Sequence, residues 1–138
     1  MMDPRSQVAA VILIVDDNAP TLALVKELLS AAFPACRILA AESAEQALEL
    51  CASHALHVVV MDIVLPGMDG VEATRRIKAL LPDTRVVMHS SLDMEIYRDA
   101  SAAAGAGAFV AKGRTFSDLV PAIAALLPHG VSRSGNGR

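Results

Sequence analysis

Residues 11–20, Val11-Ile-Leu-Ile-Val-Asp-Asp-Asn-Ala-Pro20, combine an uninterrupted apolar run with a polar turn and a proline. The run Val11–Val15 is apolar at every position rather than at alternate ones, which is typical of a strand that is buried on both faces. Pro20 suits the first turn of a helix, because its missing N–H is not needed there. The stretch therefore predicts a strand, a short turn and a helix, which is the repeating unit of a parallel α/β sheet.

The same unit recurs along the rest of the chain. Short apolar runs that predict strands alternate with stretches whose apolar residues have helical spacing. The predicted strands are Val11–Val15, Arg37–Ala40, Val58–Met61, Val86–Met88 and Phe109–Val110. The first predicted helix begins at Pro20, and the second begins at Ser43, with Gln46 as its capping-box partner. The other three are predicted at about Gly70–Leu81, Asp93–Ala104 and Phe116–Leu127. This alternation predicts an open α/β sandwich with helices on both faces of a parallel sheet.

Composition and charge exclude several classes of protein. A chain of 138 residues with 54% hydrophobic residues fits one globular domain. Its net charge of −3 lacks the positive excess that binds nucleic acid through phosphates. The longest strongly apolar run, residues 8–15, is much shorter than a membrane-spanning helix, which needs about 20 residues. We therefore expect a cytoplasmic protein that binds neither nucleic acid nor a membrane.

The two ends of the chain differ in composition from its middle. Residues 1–8 look like a loose lead-in, and residues 129–138 are polar and rich in Gly and Ser. Such a segment is typical of a flexible tail or of a truncated linker. The predicted domain is residues 9–128.

Polar side chains stand at the ends of four predicted strands. Asp16 and Asp17 follow the first strand, Asp62 the third, Ser90 the fourth and Lys112 the fifth. Since the carboxyl ends of parallel strands share one edge of a sheet, we expect these side chains to meet there. Three carboxylates repel one another unless a cation is present, and Mg²⁺ prefers oxygen ligands. A carboxylate can also attack phosphorus to give an aspartyl phosphate. Taken singly, each residue could instead serve a turn or a helix cap, but four coincident strand ends favour a site.

Four segments of the chain resemble the receiver domains of two-component response regulators. They are Ile12-Leu-Ile-Val-Asp-Asp-Asn18, Met61-Asp-Ile-Val-Leu-Pro-Gly-Met-Asp-Gly70, Val86-Val-Met-His-Ser-Ser91 and Gly107-Ala-Phe-Val-Ala-Lys112. The resemblance spans residues 11–127, and the second segment is its most specific part. It implies a doubly wound, flavodoxin-like fold with five parallel strands in the order 2-1-3-4-5 and five helices.

The resemblance also implies a role for each matching residue. Asp62 matches the phosphoacceptor, Ser90 the switch hydroxyl that bonds the phosphoryl group, and Lys112 the charge partner of that group. Phe109 falls at the aromatic switch position, which turns inward when the hydroxyl is drawn to the phosphate. His89 precedes Ser90 on the strand and is expected to point to the opposite face.

A magnesium site is implied by the same family pattern. Asp17 would bind Mg²⁺ directly, and Asp16 would bind it mainly through water. Asp62 and the backbone carbonyl of Val64 would complete the ligands that the protein supplies.

The chain departs from the family pattern in three places. Gly113 follows Lys112, where many members have a proline with a cis peptide bond, so a looser loop is expected. Ser91 stands where a smaller alanine is frequent and could narrow access to the site. Val64 and Leu92 are apolar, whereas polar side chains at those positions can position an attacking water. We therefore expect slow self-dephosphorylation.

The predicted function is a signalling switch that a sensor histidine kinase phosphorylates on Asp62. Such a protein acts only on its own phosphoryl group and is not otherwise an enzyme. It would switch a partner or an attached output domain, such as a DNA-binding transcriptional regulator. Two alternatives stay open: an unphosphorylated interaction module, and a phosphatase with an Asp nucleophile. The phosphatase usually needs a second Asp two residues after the first, where this chain has Val64.

Ile96, Tyr97 and Phe116 lie on or beside the fourth and fifth predicted helices. Two interpretations stay open for them. They pack the helices on the sheet, or they belong to the face made by the fourth helix, the fifth strand and the fifth helix, which in the resembled family forms homodimers or docks an output partner.

Overall fold

The structure, a computed structural model, describes residues 10–128, so the predicted lead-in and tail lie outside the described residues. The described strands are β1 Val11–Val15, β2 Arg37–Ala41, β3 Val58–Met61, β4 Arg85–Ser90 and β5 Ala108–Ala111. The helices are α1 Ala19–Ala32, α2 Ala44–Ser53, α3 Gly70–Leu80, α4 Glu95–Ala104 and α5 Val120–Leu126. No helix within this range is long and apolar enough to cross a membrane.

The strands form one parallel sheet in the order β2-β1-β3-β4-β5. This confirms the predicted fold and strand order. β1 pairs with both β2 and β3, so the strand order reverses beside it, and sheets of this kind have a crevice at the carboxyl ends of the strands at that point. Val15 of β1 pairs with Met61 of β3, so Asp16 and Asp62, which follow them, lie level with each other.

Two apolar layers cover the two faces of the sheet. Because side chains alternate along a strand, β1 gives Ile12 and Ile14 to one layer and Leu13 and Val15 to the other. The first layer is completed by α1 and α5, and the second by α2 and α3. These four β1 side chains are at most 1% exposed, and each such burial contributes roughly 1.5–3 kcal/mol. The layers fix the sheet, and with it the edge that carries the polar residues.

Local signals in the sequence set where helices begin and end. The Ser43 hydroxyl accepts a hydrogen bond from the Gln46 backbone N–H at 3.0 Å, which confirms the predicted cap of α2. The return bond differs from a standard capping box, because Gln46 Oε1 accepts from the backbone N–H of Glu42 at 2.8 Å rather than from that of the cap residue. α4 ends at Gly105, whose φ of +106° is one that favours glycine.

The segment after β5 departs from the prediction of one helix from Phe116 to Leu127. A 3₁₀ turn covers Lys112–Arg114, a π-helical turn covers Thr115–Leu119, and only then does α5 begin. Pro121 is the reason, since it cannot donate a hydrogen bond in a helix interior and is tolerated only in the first turn. The regular helix therefore starts next to Pro121. The residues before it form the tighter 3₁₀ turn and then the wider π-helical turn.

Candidate functional site

Three carboxylates and one ammonium meet at the carboxyl edge of the sheet. Oxygen atoms of Asp16, Asp17 and Asp62 all lie within 4.8 Å of one another. Asp16 and Asp62 are 2% and 5% exposed, whereas Asp17 is exposed to solvent. The ammonium of Lys112 lies 2.9 Å from Asp16 Oδ2 and 3.3 Å from Asp62 Oδ2. The structure thus brings together four of the residues that the strand ends predicted.

Backbone hydrogen bonds fix the two buried carboxylates in place. The Asp16 N–H donates to the carbonyl of Ala41 at 3.1 Å, and the Asp62 N–H donates to that of Val15 at 3.0 Å. Both bonds extend the parallel pairing one residue beyond the strands, so the acids are held as rigidly as the sheet itself.

Gly70 allows α3 to start directly against the backbone of Asp62. A Cβ atom at Gly70 would lie 1.9 Å from the Asp62 carbonyl oxygen, which no side chain could accommodate. The Gly70 N–H donates to the carbonyl of Ile63 at 2.8 Å. The loop after β3 is therefore closed tightly around the acid.

One oxygen of Asp16 is short of hydrogen bonds. Asp16 Oδ1 accepts from the backbone N–H of Asn18 at 2.8 Å. Asp16 Oδ2 is buried and forms an ion pair with Lys112 at 2.9 Å, and it accepts no hydrogen bond from residues 10–128. This buried carboxylate oxygen therefore has unused capacity to accept a hydrogen bond.

Burial dominates the protonation of the acid that ends β3. Burial raises the pKa of the Asp62 carboxyl above its usual value, the nearby Lys112 charge lowers it, and Asp16 raises it again. Burial by itself lowers the pKa of Lys112, but its contacts with Asp16 and Asp62 outweigh that effect and raise it. The lysine is therefore charged, and a single ammonium faces more than one carboxylate.

The arrangement fits a divalent cation that prefers oxygen ligands. Asp16, Asp17 and Asp62 provide carboxylate oxygens that are close enough to share one ion. Mg²⁺ is commonly held by one or two carboxylates with water completing its shell. The carbonyl of Val64 as a further ligand stays a prediction, and the Val64 side chain is 55% exposed beside the site.

Ser90 is the last residue of β4 and is fully buried. Its Oγ accepts a hydrogen bond from the backbone N–H of Leu92 at 3.0 Å. A hydroxyl that accepts in this way keeps its own hydrogen for a further acceptor. Ser90 is thus tied to the loop between β4 and α4 while still able to donate.

The aromatic residues near α4 and β5 occupy different environments. Phe109 is half-buried, and the guanidinium of Arg98 lies 4.5 Å from its ring centroid. Tyr97 is half-buried against the core, whereas Ile96 is 69% exposed. Phe116 is 70% exposed.

Phe116 lines a groove between the π-helical turn and α1. Its neighbours there include Leu28 and Ala31 of α1 and Pro121 of α5. The fifth helix was predicted to begin near Phe116, whereas Thr115–Leu119 form a π-helical turn, from which Phe116 lines this groove.

Sequence analysis missed two sets of contacts around the site. His89 and Thr115 form a buried hydrogen bond of 2.8 Å behind the strand end. Arg98 of α4 forms an ion pair of 2.6 Å with Asp93, two residues before the helix, and lies over the ring of Phe109 on β5. A histidine inside the otherwise apolar run 86–89 is the signal that could have found the first set, but nothing in the sequence identifies its partner.

Comparisons with known proteins agree with this geometry. A family model of the response regulator receiver domain matches residues 12–124. The chain is 41% identical over 75 residues to the virulence sensor protein BvgS of Bordetella pertussis. The aligned residues are 54% of this chain and 6% of that protein. It is 30% identical over 112 residues to the response regulator UvrY of Escherichia coli, which covers 81% of this chain and 51% of that protein.

Solved structures share the fold over nearly the whole described range. The crystal structure of the response regulator TrrA of Thermotoga maritima in complex with Mg²⁺-BeF is 31% identical, with a TM-score of 0.76, over 86% of this chain and 99% of that one. In contrast, the chain spans about half or less of the length of the two curated relatives.

Proposed function

The chain belongs to the response regulator receiver domain family of two-component signal transduction, and on that premise we propose that it is a switch driven by phosphorylation of Asp62. One observation carries the proposal. A carboxylate oxygen of Asp62 lies within 4.8 Å of oxygens of Asp16 and Asp17, and the Lys112 ammonium lies 3.3 Å from Asp62. That arrangement provides a nucleophile, oxygen ligands for a cation and a fixed positive charge in one place.

The phosphoryl transfer to Asp62 needs only a phosphohistidine donor, and its reversal needs only water. A carboxylate oxygen of Asp62 attacks the phosphorus of a phosphohistidine on the partner kinase. The P–N bond breaks, its electron pair stays on the imidazole nitrogen, and the phosphoryl group becomes bonded to Asp62 as a mixed anhydride. Attack by water on that anhydride later returns the carboxylate and inorganic phosphate.

The residues around Asp62 would stabilise the negative charge on the phosphoryl oxygens during the transfer. Asp16, Asp17 and Asp62 would hold a divalent cation such as Mg²⁺, which would supply positive charge close to the phosphoryl oxygens. The Lys112 ammonium is already in place next to Asp62, so it needs little reorganisation to pair with a phosphoryl oxygen. Asp62 is 5% exposed, and low solvent access strengthens these electrostatic interactions.

The response to phosphorylation begins at Ser90. Its hydroxyl would donate to a phosphoryl oxygen, and its bond from the Leu92 N–H links any movement of the side chain to the β4–α4 loop. Phe109 and α4 then form a two-state element whose populations the phosphoryl group shifts. Ile96 and Tyr97 on α4 lie on the surface that would read that state.

The partners follow from the same chemistry. Receiver domains accept phosphoryl groups from sensor histidine kinases, and we propose such a kinase as the donor here. The output would be a partner protein, an attached domain such as a DNA-binding regulator, or a homodimer through α4, β5 and α5. The protein would catalyse only the gain and loss of its own phosphoryl group.

Intact mass tests this proposal. The protein is incubated with acetyl phosphate, with and without Mg²⁺, beside Asp62→Asn and a control, Asp83→Asn, whose exposed carboxyl lies at the opposite end of the sheet. We expect one added phosphoryl group in the wild type and the control only with Mg²⁺, and none in Asp62→Asn. If folded wild-type protein gains none from acetyl phosphate or from a phosphorylated histidine kinase, the proposal fails and an unphosphorylated interaction module replaces it.

A further inference from the structure

His89 is a buried polar residue in an apolar strand, and the chemistry above does not use it. Its side chain is 2% exposed, and its Nε2 lies 2.8 Å from Thr115 Oγ1. The Thr115 hydroxyl donates its one hydrogen to the backbone carbonyl of Lys112 at 2.9 Å. Thr115 must therefore accept from His89, which places the imidazole hydrogen on Nε2.

The protonation of the ring agrees with this direction. Burial first, and then the charge of Lys112, lowers the pKa of His89 to about 4, while Asp16 opposes this effect. The ring is therefore neutral at physiological pH and carries one N–H, which Thr115 accepts. His89, Thr115 and the Lys112 carbonyl form one directed chain of hydrogen bonds.

The segment that carries Lys112 also contains an exposed ion pair of 2.8 Å between Arg114 and Asp118, which joins two parts of the segment and does not tie it to the sheet. Lys112 opens a 3₁₀ turn that passes directly into a π-helical turn, so no regular helix anchors it. Among residues 10–128, apart from the two chain neighbours of Gly113, nothing lies within 4 Å of the point where a Cβ atom of Gly113 would be. Gly113 and Arg114 are exposed, whereas Thr115 is 7% exposed and is the buried end of the segment.

We propose that His89 and Thr115 are positioning residues that hold Lys112 in place for phosphoryl transfer at Asp62. This inference rests on the proposed function. The contacts run from His89 through the Thr115 hydroxyl to the Lys112 backbone, and from the Lys112 ammonium to Asp16 and Asp62 at 2.9 and 3.3 Å. Neither positioning residue touches the phosphoryl group.

Displacement of a charge of this kind slows the reaction. Electrostatic stabilisation depends on groups that are fixed before the reaction begins, and a misplacement of about 1 Å costs up to about 100-fold in rate. Without the chain of hydrogen bonds, the lysine keeps its charge but samples a wider range of positions. The rate of phosphorylation should fall while the acceptor and the cation ligands stay in place.

The first test compares variants at Thr115 and His89. Thr115→Val removes the hydroxyl at nearly constant volume, and Thr115→Ser restores it. His89→Leu removes the donor, and His89→Gln restores an N–H near the Nε2 position. With acetyl phosphate and Mg²⁺, we expect Thr115→Val and His89→Leu to be phosphorylated about tenfold more slowly. Thr115→Ser and His89→Gln should stay within about twofold of the wild type.

A matched control separates positioning from stability. Thr84 is 3% exposed, and its hydroxyl donates to the Leu56 carbonyl at 2.7 Å at the opposite end of the sheet. Thr84→Val should lower the thermal midpoint about as much as Thr115→Val but leave the phosphorylation rate unchanged. Equal rate losses in the two variants would mean that loss of stability slows the reaction, and would overturn the inference.

A double-mutant cycle tests whether the effect passes through the lysine. In a Lys112→Ala background, Thr115→Val should change the slow residual phosphorylation rate by less than about twofold, because the group it positions is gone. A further tenfold loss in that background would overturn the inference.

Failure of the inference and failure of the proposed function give different results. If wild-type protein is phosphorylated and Thr115→Val matches it in rate, only the positioning role is wrong. If wild-type protein takes up no phosphoryl group from either donor, the proposed function is wrong and this inference falls with it.

Discussion

The edge of the sheet that carries the carboxylates and the face made by α4 and β5 are built in opposite ways. At the edge, Asp16, Asp62 and Ser90 are at most 5% exposed, and each continues or ends a buried strand. On the face, Met94 and Ile96 are 57% and 69% exposed. Electrostatic chemistry needs groups fixed in a site with little water, whereas a partner needs an accessible surface.

The two regions also differ in how their helices are anchored. Side chains of Asn18, Ser43 and Asp69 cap the beginnings of α1, α2 and α3, but α4 begins after Met94 with no side-chain cap. Such a cap contributes about 1 kcal/mol, so α4 starts from a weaker anchor. Elements that move in switches come from the less stable parts of a fold. The difference indicates that α4 is easier to shift than the three helices that begin with a side-chain cap.

Removal of the ammonium from the edge should have the largest effect. Lys112→Met leaves Asp16 and Asp62 without their fixed cation, so we expect phosphorylation by acetyl phosphate to slow by about 100-fold. Lys78→Met is the matched control, because the Lys78 ammonium also contacts two oxygen atoms, the carbonyls of Pro82 and Thr84, each at 2.7 Å and far from the site. A rate in Lys112→Met equal to that of the control would mean that the edge does not act through a fixed charge.

The second effect is a pH dependence of stability that originates behind the same edge. The pKa of His89 falls to about 4 in the folded state, from an ordinary value of 6.5, so below pH 6.5 the unfolded chain binds a proton that the folded protein does not. Stability is therefore lost as pH falls. From about pH 7.5 to about pH 5, His89 should remove about 2 kcal/mol from the free energy of unfolding.

Urea unfolding of the wild type and of His89→Gln at both pH values measures this contribution. Asp62 acts in the opposite direction, because its raised pKa lets the folded protein take up a proton before the unfolded chain does. Both proteins contain Asp62, so the difference between them isolates the histidine. An equal pH dependence in the two proteins would mean that the ring is protonated or solvated in the folded state.

The sequence predicted the regular parts of the fold well for physical reasons. Val11–Val15 and Val58–Met61 match the observed strands, because uninterrupted apolar runs that end in aspartate leave little choice of boundary. β4 continues to Ser90, beyond the predicted Met88, since the polar His89 is buried through a hydrogen bond to a residue 26 positions later. Periodicity carries no information on such distant partners.

The residues at the strand ends could be predicted from the sequence, but the conformation of residues 112–119, which carry Lys112, could not. The rule that parallel strands end at one edge was enough to bring Asp16, Asp62 and Lys112 together. It could not predict the turns at 112–119, because they depend on Pro121 and on tertiary hydrogen bonds of Thr115. The interface role of Phe109, Ile96 and Tyr97 stays a prediction.

The third prediction concerns the apolar border of the reaction site. Val64 is 55% exposed two residues after Asp62, and an amide there could hold a water for attack on the phosphoryl group. Val64→Asn should therefore shorten the lifetime of the phosphorylated protein by about tenfold, measured as loss of the added mass after removal of the donor. Leu80→Asn, a change at a 62% exposed leucine outside the site, is the control. An unchanged lifetime would show that the apolar border does not protect the phosphoryl group.

The smallest expected effect belongs to the α4–β5 face. The Arg98 guanidinium lies 4.5 Å from the Phe109 ring centroid and 2.6 Å from Asp93, but its side chain is 45% exposed. Exposed ion pairs contribute little and exposed cation–π contacts about 0.5–1 kcal/mol, so Arg98→Ala should lower the free energy of unfolding by about 0.5 kcal/mol. Arg75→Ala is the control, because Arg75 pairs with Glu72 on α3 at 2.6 Å with a similar exposure of 55%.

The location of that small loss decides whether the two regions are separate. Arg98 connects the beginning of α4 to Phe109 on β5, so its removal should speed hydrogen exchange of α4 amides and leave those of β1 unchanged. The rate of Asp62 phosphorylation should stay within about twofold of the wild type, because no residue of the carboxylate edge loses a contact. A rate loss like that of Lys112→Met would mean that the face helps to build the reaction site, and the two regions would then be one.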